Sequence, residues 1–190
     1  MTFPALSDYR VLIVPGLHGS GPQHWQTRWQ LRYPEFERVE QDDWSLPDLD
    51  AWSRRLSQVL RASTQRTLIV AHSFGCLTSV HAASRADMRH VAAVLLVAPA
   101  DPEKFGVAQK LRGLRLHCPS VVIGSADDPW MAAERASYWA REWGCGFVNA
   151  GALGHINADS GLGDWPQGLA HLALLAEIDA QTAGAKILSA

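Results

Sequence analysis

The sequence predicts an α/β protein: a doubly wound, mostly parallel sheet of about six strands flanked by helices. Two observations predict it. Short, near-continuous apolar runs rich in β-branched residues recur along the chain, as strands buried on both faces require. Between them lie segments whose apolar residues repeat at helical spacing, so strand and helix alternate from end to end. The strand candidates, in order, are Arg10 to Val14, a weaker one around Phe36 to Val39, Thr67 to Ala71, Val91 to Val97, Ser120 to Ile123, and a weaker one at Gly146 to Asn149. The helix candidates are Gln23 to Arg32, with Trp25 and Trp29 four apart; Leu49 to Ala62, with Leu49, Trp52, Leu56, Val59 and Leu60 on one face; Ser73 to Ala86; Met131 to Trp143; and Gln167 to Ile178. With no repeat, low-complexity stretch or linker, residues 1–190 read as a single domain. Gly184 interrupts the helical pattern, which predicts a loosely ordered tail over 181–190. The segment from Ala100 to His117 is too short to form a lid domain.

Composition excludes several partners. At 190 residues, 47% apolar and 19% charged, the chain can bury a core without covalent or metal staples. A net charge of -2 leaves no basic stripe for nucleic acid. No run approaches the ~20 apolar residues of a membrane span. Met1 to Arg10 lacks the charged-then-apolar pattern of a signal peptide, so a cytoplasmic location is expected. Cys76, Cys118 and Cys145 are odd in number and widely spaced, and read as small buried hydrophobes rather than disulfide or zinc ligands. No histidine pair shares a ligand spacing with a carboxylate, so neither a metal nor a cofactor is expected.

The chemistry-bearing signal is Ala71-His72-Ser73-Phe74-Gly75, set between a strand and a helix. It fits the nucleophile elbow G-x-S-x-G with alanine at its first small position. The nucleophile of such an elbow occupies a strained turn, and bulky neighbours two residues away would collide with strand and helix. A serine hydroxyl attacks only when a base takes its proton and another group orients that base. The elbow therefore calls for a downstream acid and histidine, in that order. Asp128, in Gly124-Ser125-Ala126-Asp127-Asp128-Pro129, and His155, in Gly151-Ala152-Leu153-Gly154-His155, each follow a strand's carboxyl end, where sites of open α/β sheets lie. For the acid, Asp128 is preferred. Asp128 could instead cap a helix opened by Pro129, leaving Asp127 as the acid, and Asp101 beyond the Val91 to Val97 strand is a third option. For His155 the alternative is a surface-loop histidine with no task.

The loop Pro15-Gly16-Leu17-His18-Gly19-Ser20-Gly21 follows the first strand. Its glycines let backbone approach a ligand, so the Leu17 and Phe74 N–H groups are the expected oxyanion donors. A phosphate loop fits less well, because G-x-G-x-x-G spacing and a P-loop lysine are both missing. His18, Trp25, His72 and Trp130 are candidate pocket residues, as is Trp165, with plain core packing the alternative for each tryptophan. His24, His81, His90, His117 and His171 are read as structural or solvated.

Val14-Pro15-Gly16 with His24-Trp25 after it, the elbow, Gly124 to Pro129 and Gly154-His155 together give a resemblance over almost the full length. The chain resembles the small, nearly lidless α/β-hydrolases related to human retinoblastoma-binding protein nine and bacterial YdeN. The resemblance implies an α/β-hydrolase fold without a lid domain and a serine hydrolase acting on esters or amides. It matches the family's acid to Asp128, the aspartate directly before proline, 27 residues ahead of His155. The chain departs from the human relative at Leu116-His117-Cys118-Pro119-Ser120, which lacks the glutamate of a Leu-x-Cys-x-Glu contact, so that partner role does not transfer. The favoured expectation is a carboxylesterase-like hydrolase with a small-molecule ester or amide substrate. A non-catalytic binding protein on the same fold and acyl transfer to a non-water acceptor are the alternatives.

Overall fold

The computed structural model describes residues 6–85 and 89–188. Six strands form one parallel sheet: β1 (Arg10–Val14), β2 (Glu37–Arg38), β3 (Thr67–His72), β4 (Val91–Val97), β5 (Ser120–Gly124) and β6 (Gly146–Asn149), in the order β2-β1-β3-β4-β5-β6. The chain winds outward in both directions from β1 and β3, so the strand order reverses between these two. That is where open sheets of this kind place their ligands.

Period-two alternation divides the strands between two cores. Leu12, Val14, Ile69, Ala71, Val94, Leu96 and Val122 face one layer, packed by α2 (Leu49–Arg61), α3 (Phe74–Arg85) and α5 (Ala133–Glu142). Val11, Ile13, Leu68, Val70, Leu95 and Ile123 face the other, covered by α1 (Trp25–Arg32) and α6 (Pro166–Leu188). The inner strands β1, β3 and β4 are buried on both faces, which is why they read as apolar runs rather than as alternating ones. Between β4 and β5 the chain carries only the four-residue helix α4 (Ala108–Leu111), and no helical insertion covers the sheet end.

Several element ends shift by one or two residues, and two differences have a clear physical cause. Helix α5 begins at Ala133, because residues 129–131 form bends and Pro129 opens no helix. Helix α6 does not break at Gly184 but continues to Leu188; residues 181–184 are helical and exposed, and 189–190 lie outside the described residues. One glycine costs a helix only about 1 kcal/mol relative to alanine, and Ala180, Ala183 and Ala185 around it are strong helix formers. Ala86, the expected end of the helix after the elbow, also lies outside the described residues. Among the described residues no helix is long and apolar enough to cross a membrane.

Candidate active site

Ser73 sits between the end of β3 and the start of α3 with φ +54, the left-handed conformation that side chains rarely adopt. Its N–H donates to the Val97 carbonyl (3.1 Å), and its own carbonyl accepts from Cys76 N–H (3.0 Å), so β4 and α3 hold the strained turn from both sides. The small residues around it have a steric cause. A Cβ on Gly75 would stand 2.3 Å from the Val14 carbonyl oxygen and 2.5 Å from that of Pro15. One on Gly16 would stand 2.7 Å from the Ser73 Cβ and 3.2 Å from the Phe74 nitrogen. The loop after β1 is therefore pressed against the elbow at Gly16, and Leu17, the next residue, lines the same cavity as Ser73. Phe74 opens α3, so its N–H has no acceptor within the helix.

His155 lies in the loop after β6. Its Nε2 is 3.0 Å from Ser73 Oγ, and its Nδ1 is 2.9 and 3.1 Å from the two carboxylate oxygens of Asp128. The Asp128 side chain is only 2% exposed and also accepts the Trp130 N–H (2.9 Å). It thus turns the chain after β5 and reaches the imidazole with the same carboxylate. Asp127 points elsewhere: it accepts the Gly154 N–H (2.7 Å) and the Ser125 hydroxyl (2.8 Å). These bonds, the Gly154 one first, hold its carboxyl below the usual range. Asp101 is bound bidentately by Arg135 (2.6 and 2.9 Å) and takes the Glu103 N–H (3.0 Å). Of the three aspartates weighed as the acid, only Asp128 is hydrogen-bonded to His155.

A family model described as serine hydrolase matches residues 11–174. The chain belongs to the serine hydrolase family. A solved structure described as a YdeN-like hydrolase from Pectobacterium atrosepticum is 36% identical, covering 92% of this chain and 94% of its own, with a TM-score of 0.87. The ydeN gene product of B. subtilis is 20% identical over 88% of this chain and 98% of its own, TM-score 0.72. The RedJ thioesterase of the prodiginine pathway in Streptomyces coelicolor is 16% identical over 90% and 92%, TM-score 0.62. These last two share the fold. No curated protein matches the chain. The open sheet is thus that of an α/β-hydrolase without a lid domain.

The cavity lined by Ser73 is about 380 Å³, and apolar surface predominates in its lining. The candidate pocket residues His18, His72 and Trp130 line it, and so does Leu17. Trp25 does not. It is buried edge-on between Trp29 (4.7 Å) and Trp165 (4.9 Å), and its indole N–H donates to the Ile156 carbonyl (2.8 Å). Trp165 is likewise core, 3% exposed. Loop and helix-start positions near the presumed site make both pocket candidates, with core packing the alternative; the structure places both in the core. Trp25 nevertheless anchors the backbone just after His155.

His24, read as structural, does line the cavity while also capping α1, its Nδ1 accepting the Gln26 N–H (3.2 Å). It is 4% exposed, and burial, with Arg38 and His155 adding to it, pushes it down to about 3. His72 is pushed well below its ordinary value by burial and by the neighbouring His24 and His155; its Nε2 lies 2.9 Å from the His155 carbonyl oxygen. A carbonyl only accepts, so Nε2 carries a proton, and burial, which disfavours a second one, keeps His72 neutral. Lys104 and Phe105, from the segment after β4, complete one wall. No local motif marks them; the segment's position between two strand ends was the available signal. Among the described residues, no group of three or more His, Cys, Asp or Glu is placed to hold a metal ion.

Proposed function

We propose that this protein is a carboxylesterase-like hydrolase that cleaves carboxylic esters, and amides as a second class, through an acyl-enzyme on Ser73. The observation that carries this reading is the unbroken hydrogen-bonded line from Asp128 through His155 to Ser73 Oγ, at the mouth of a cavity. His155 Nε2 takes the hydroxyl proton as Ser73 Oγ attacks the substrate carbonyl carbon. Asp128 holds the proton on Nδ1 and stabilises the imidazolium that forms. The oxyanion is met by the Leu17 and Phe74 N–H groups, the latter at the positive end of α3. His155 then gives its proton to the leaving alcohol or amine. Water, deprotonated by His155, attacks the acyl carbon; the acyl–Oγ bond breaks, His155 returns the proton to Ser73 Oγ, and the acid leaves. A cavity of this size suits a compact acyl group.

Fluorophosphonate labelling tests the proposal. Wild-type protein is expected to label, and Ser73→Ala and His155→Ala to remain unlabelled. Absence of labelling on well-folded wild type would sink the reading. Comparing Asp127→Asn with Asp128→Asn checks the acid, since a larger loss of hydrolysis for Asp127→Asn would reverse the assignment. p-Nitrophenyl esters of rising chain length define the acyl group.

A further inference from the structure

Consecutive aspartates after β5 meet the same loop in two different ways. Asp128 binds the imidazole of His155, while Asp127 binds the backbone one residue before it, at Gly154 N–H (2.7 Å). Ser125 completes the attachment. Its hydroxyl lies 2.8 Å from the Asp127 carboxylate and 3.0 Å from the Gly151 carbonyl, and its oxygen accepts the Leu153 N–H (2.9 Å). A backbone bond from Ala126 N–H to the Gly151 carbonyl (2.8 Å) closes the same seam.

The loop needs such attachment. Ile156, just after His155, has φ +47, which a β-branched residue rarely adopts; Gly154, just before it, turns at φ +55, and neither lies in a helix or strand. A strained backbone keeps one conformation only when its surroundings over-determine it. On one side of the loop, His72 Nε2–H binds the His155 carbonyl and the Trp25 indole binds that of Ile156. Asp127 and Ser125 hold the other side. Asp127 is exposed, yet its Oδ1 is turned inward onto Gly154 and Ser125 rather than left to water alone.

We infer that Asp127, together with Ser125, is a positioning residue that clamps the His155 loop to the Asp128 loop and so sets the imidazole between Asp128 and Ser73. This rests on the hydrolase reading above. A base displaced by about 1 Å can lose up to ~100-fold in rate, so even partial release of the clamp registers in kcat. Asp127 is not among the residues lining the cavity, so its loss is expected to spare KM. What the clamp requires is an acceptor oxygen at Gly154, and an asparagine retains one.

The test compares Asp127→Ala, Asp127→Asn and Ser125→Ala with wild type, using p-nitrophenyl acetate kinetics and amide hydrogen exchange over residues 151–156. Asp127→Ala is expected to lower kcat about tenfold with KM within about twofold, and to speed exchange in that segment. Asp127→Asn recovers most of both, and Ser125→Ala behaves like Asp127→Ala. The inference is overturned if Asp127→Ala keeps wild-type kcat and exchange, if its loss falls in KM, or if Asp127→Asn is as impaired as Asp127→Ala. If wild type neither labels nor hydrolyses, the hydrolase reading fails, while the exchange comparison still decides whether the clamp exists.

Discussion

Lowering the pH from 7 to 5 should destabilise this protein in part through His24, and replacing His24 with asparagine should remove that share of the loss. His24 is held neutral, at about 3 in the fold against 6.5 as the ordinary value. Its Nδ1 accepts the Gln26 N–H; a proton there would set two donors face to face at the positive end of α1. Its Nε2 is buried with no hydrogen-bond partner among the described residues. A depressed histidine leaves stability intact above the unfolded value and forfeits it as pH falls from 6.5 toward 3, because only the unfolded chain gains the proton in that window. At pH 5 the forfeited stability is about 2 kcal/mol, one and a half units at 1.36 kcal/mol each. Near pH 3 it approaches about 5 kcal/mol. His72 titrates in the same sense but is present in both proteins, so its share cancels to first order. Asparagine is a strong N-cap and does not titrate, so the variant keeps the start of α1. Urea unfolding at both pH values is the assay, and the fall in stability should be smaller in His24→Asn by about 2 kcal/mol. Equal losses in the two proteins would refute the reasoning.

Three further outcomes follow from the geometry. Ser73→Gly removes the hydroxyl but also relieves a positive φ, so it should unfold about 1 kcal/mol later than Ser73→Ala; identical denaturation midpoints would contradict a strained elbow. Gly75→Ala drives a methyl into the Val14 and Pro15 carbonyls and should cost about 3 kcal/mol or prevent folding, and an unchanged melting temperature would show that the elbow can move aside. Trp130 is 59% exposed at the cavity, so Trp130→Ala should leave stability within about 0.5 kcal/mol. The same variant should raise KM for p-nitrophenyl esters more than it lowers kcat, and a change confined to kcat would place Trp130 in a different role.

By itself the sequence determined what short-range patterns encode. Apolar β-branched runs such as Val91 to Val97 can be buried only with both faces covered, so they specified a parallel sheet between helical layers. The elbow was legible because its small residues answer to a local steric demand, visible in the contacts a side chain on Gly75 would make. The order of Ser73, Asp128 and His155 could likewise be read from strand ends. Tertiary structure decided where neighbouring side chains go. Asp127 and Asp128 are chemically identical and adjacent, and only the turn after β5, packed against the loop after β6, sends one to the imidazole and the other to Gly154. His24 and Trp25 are adjacent too, yet the first lines the cavity and the second fills the core beside Trp165, because α1 presents them to different surroundings. Such destinations depend on contacts more than a hundred residues away in sequence, as in the Trp25 bond to Ile156, and no local pattern carries that information.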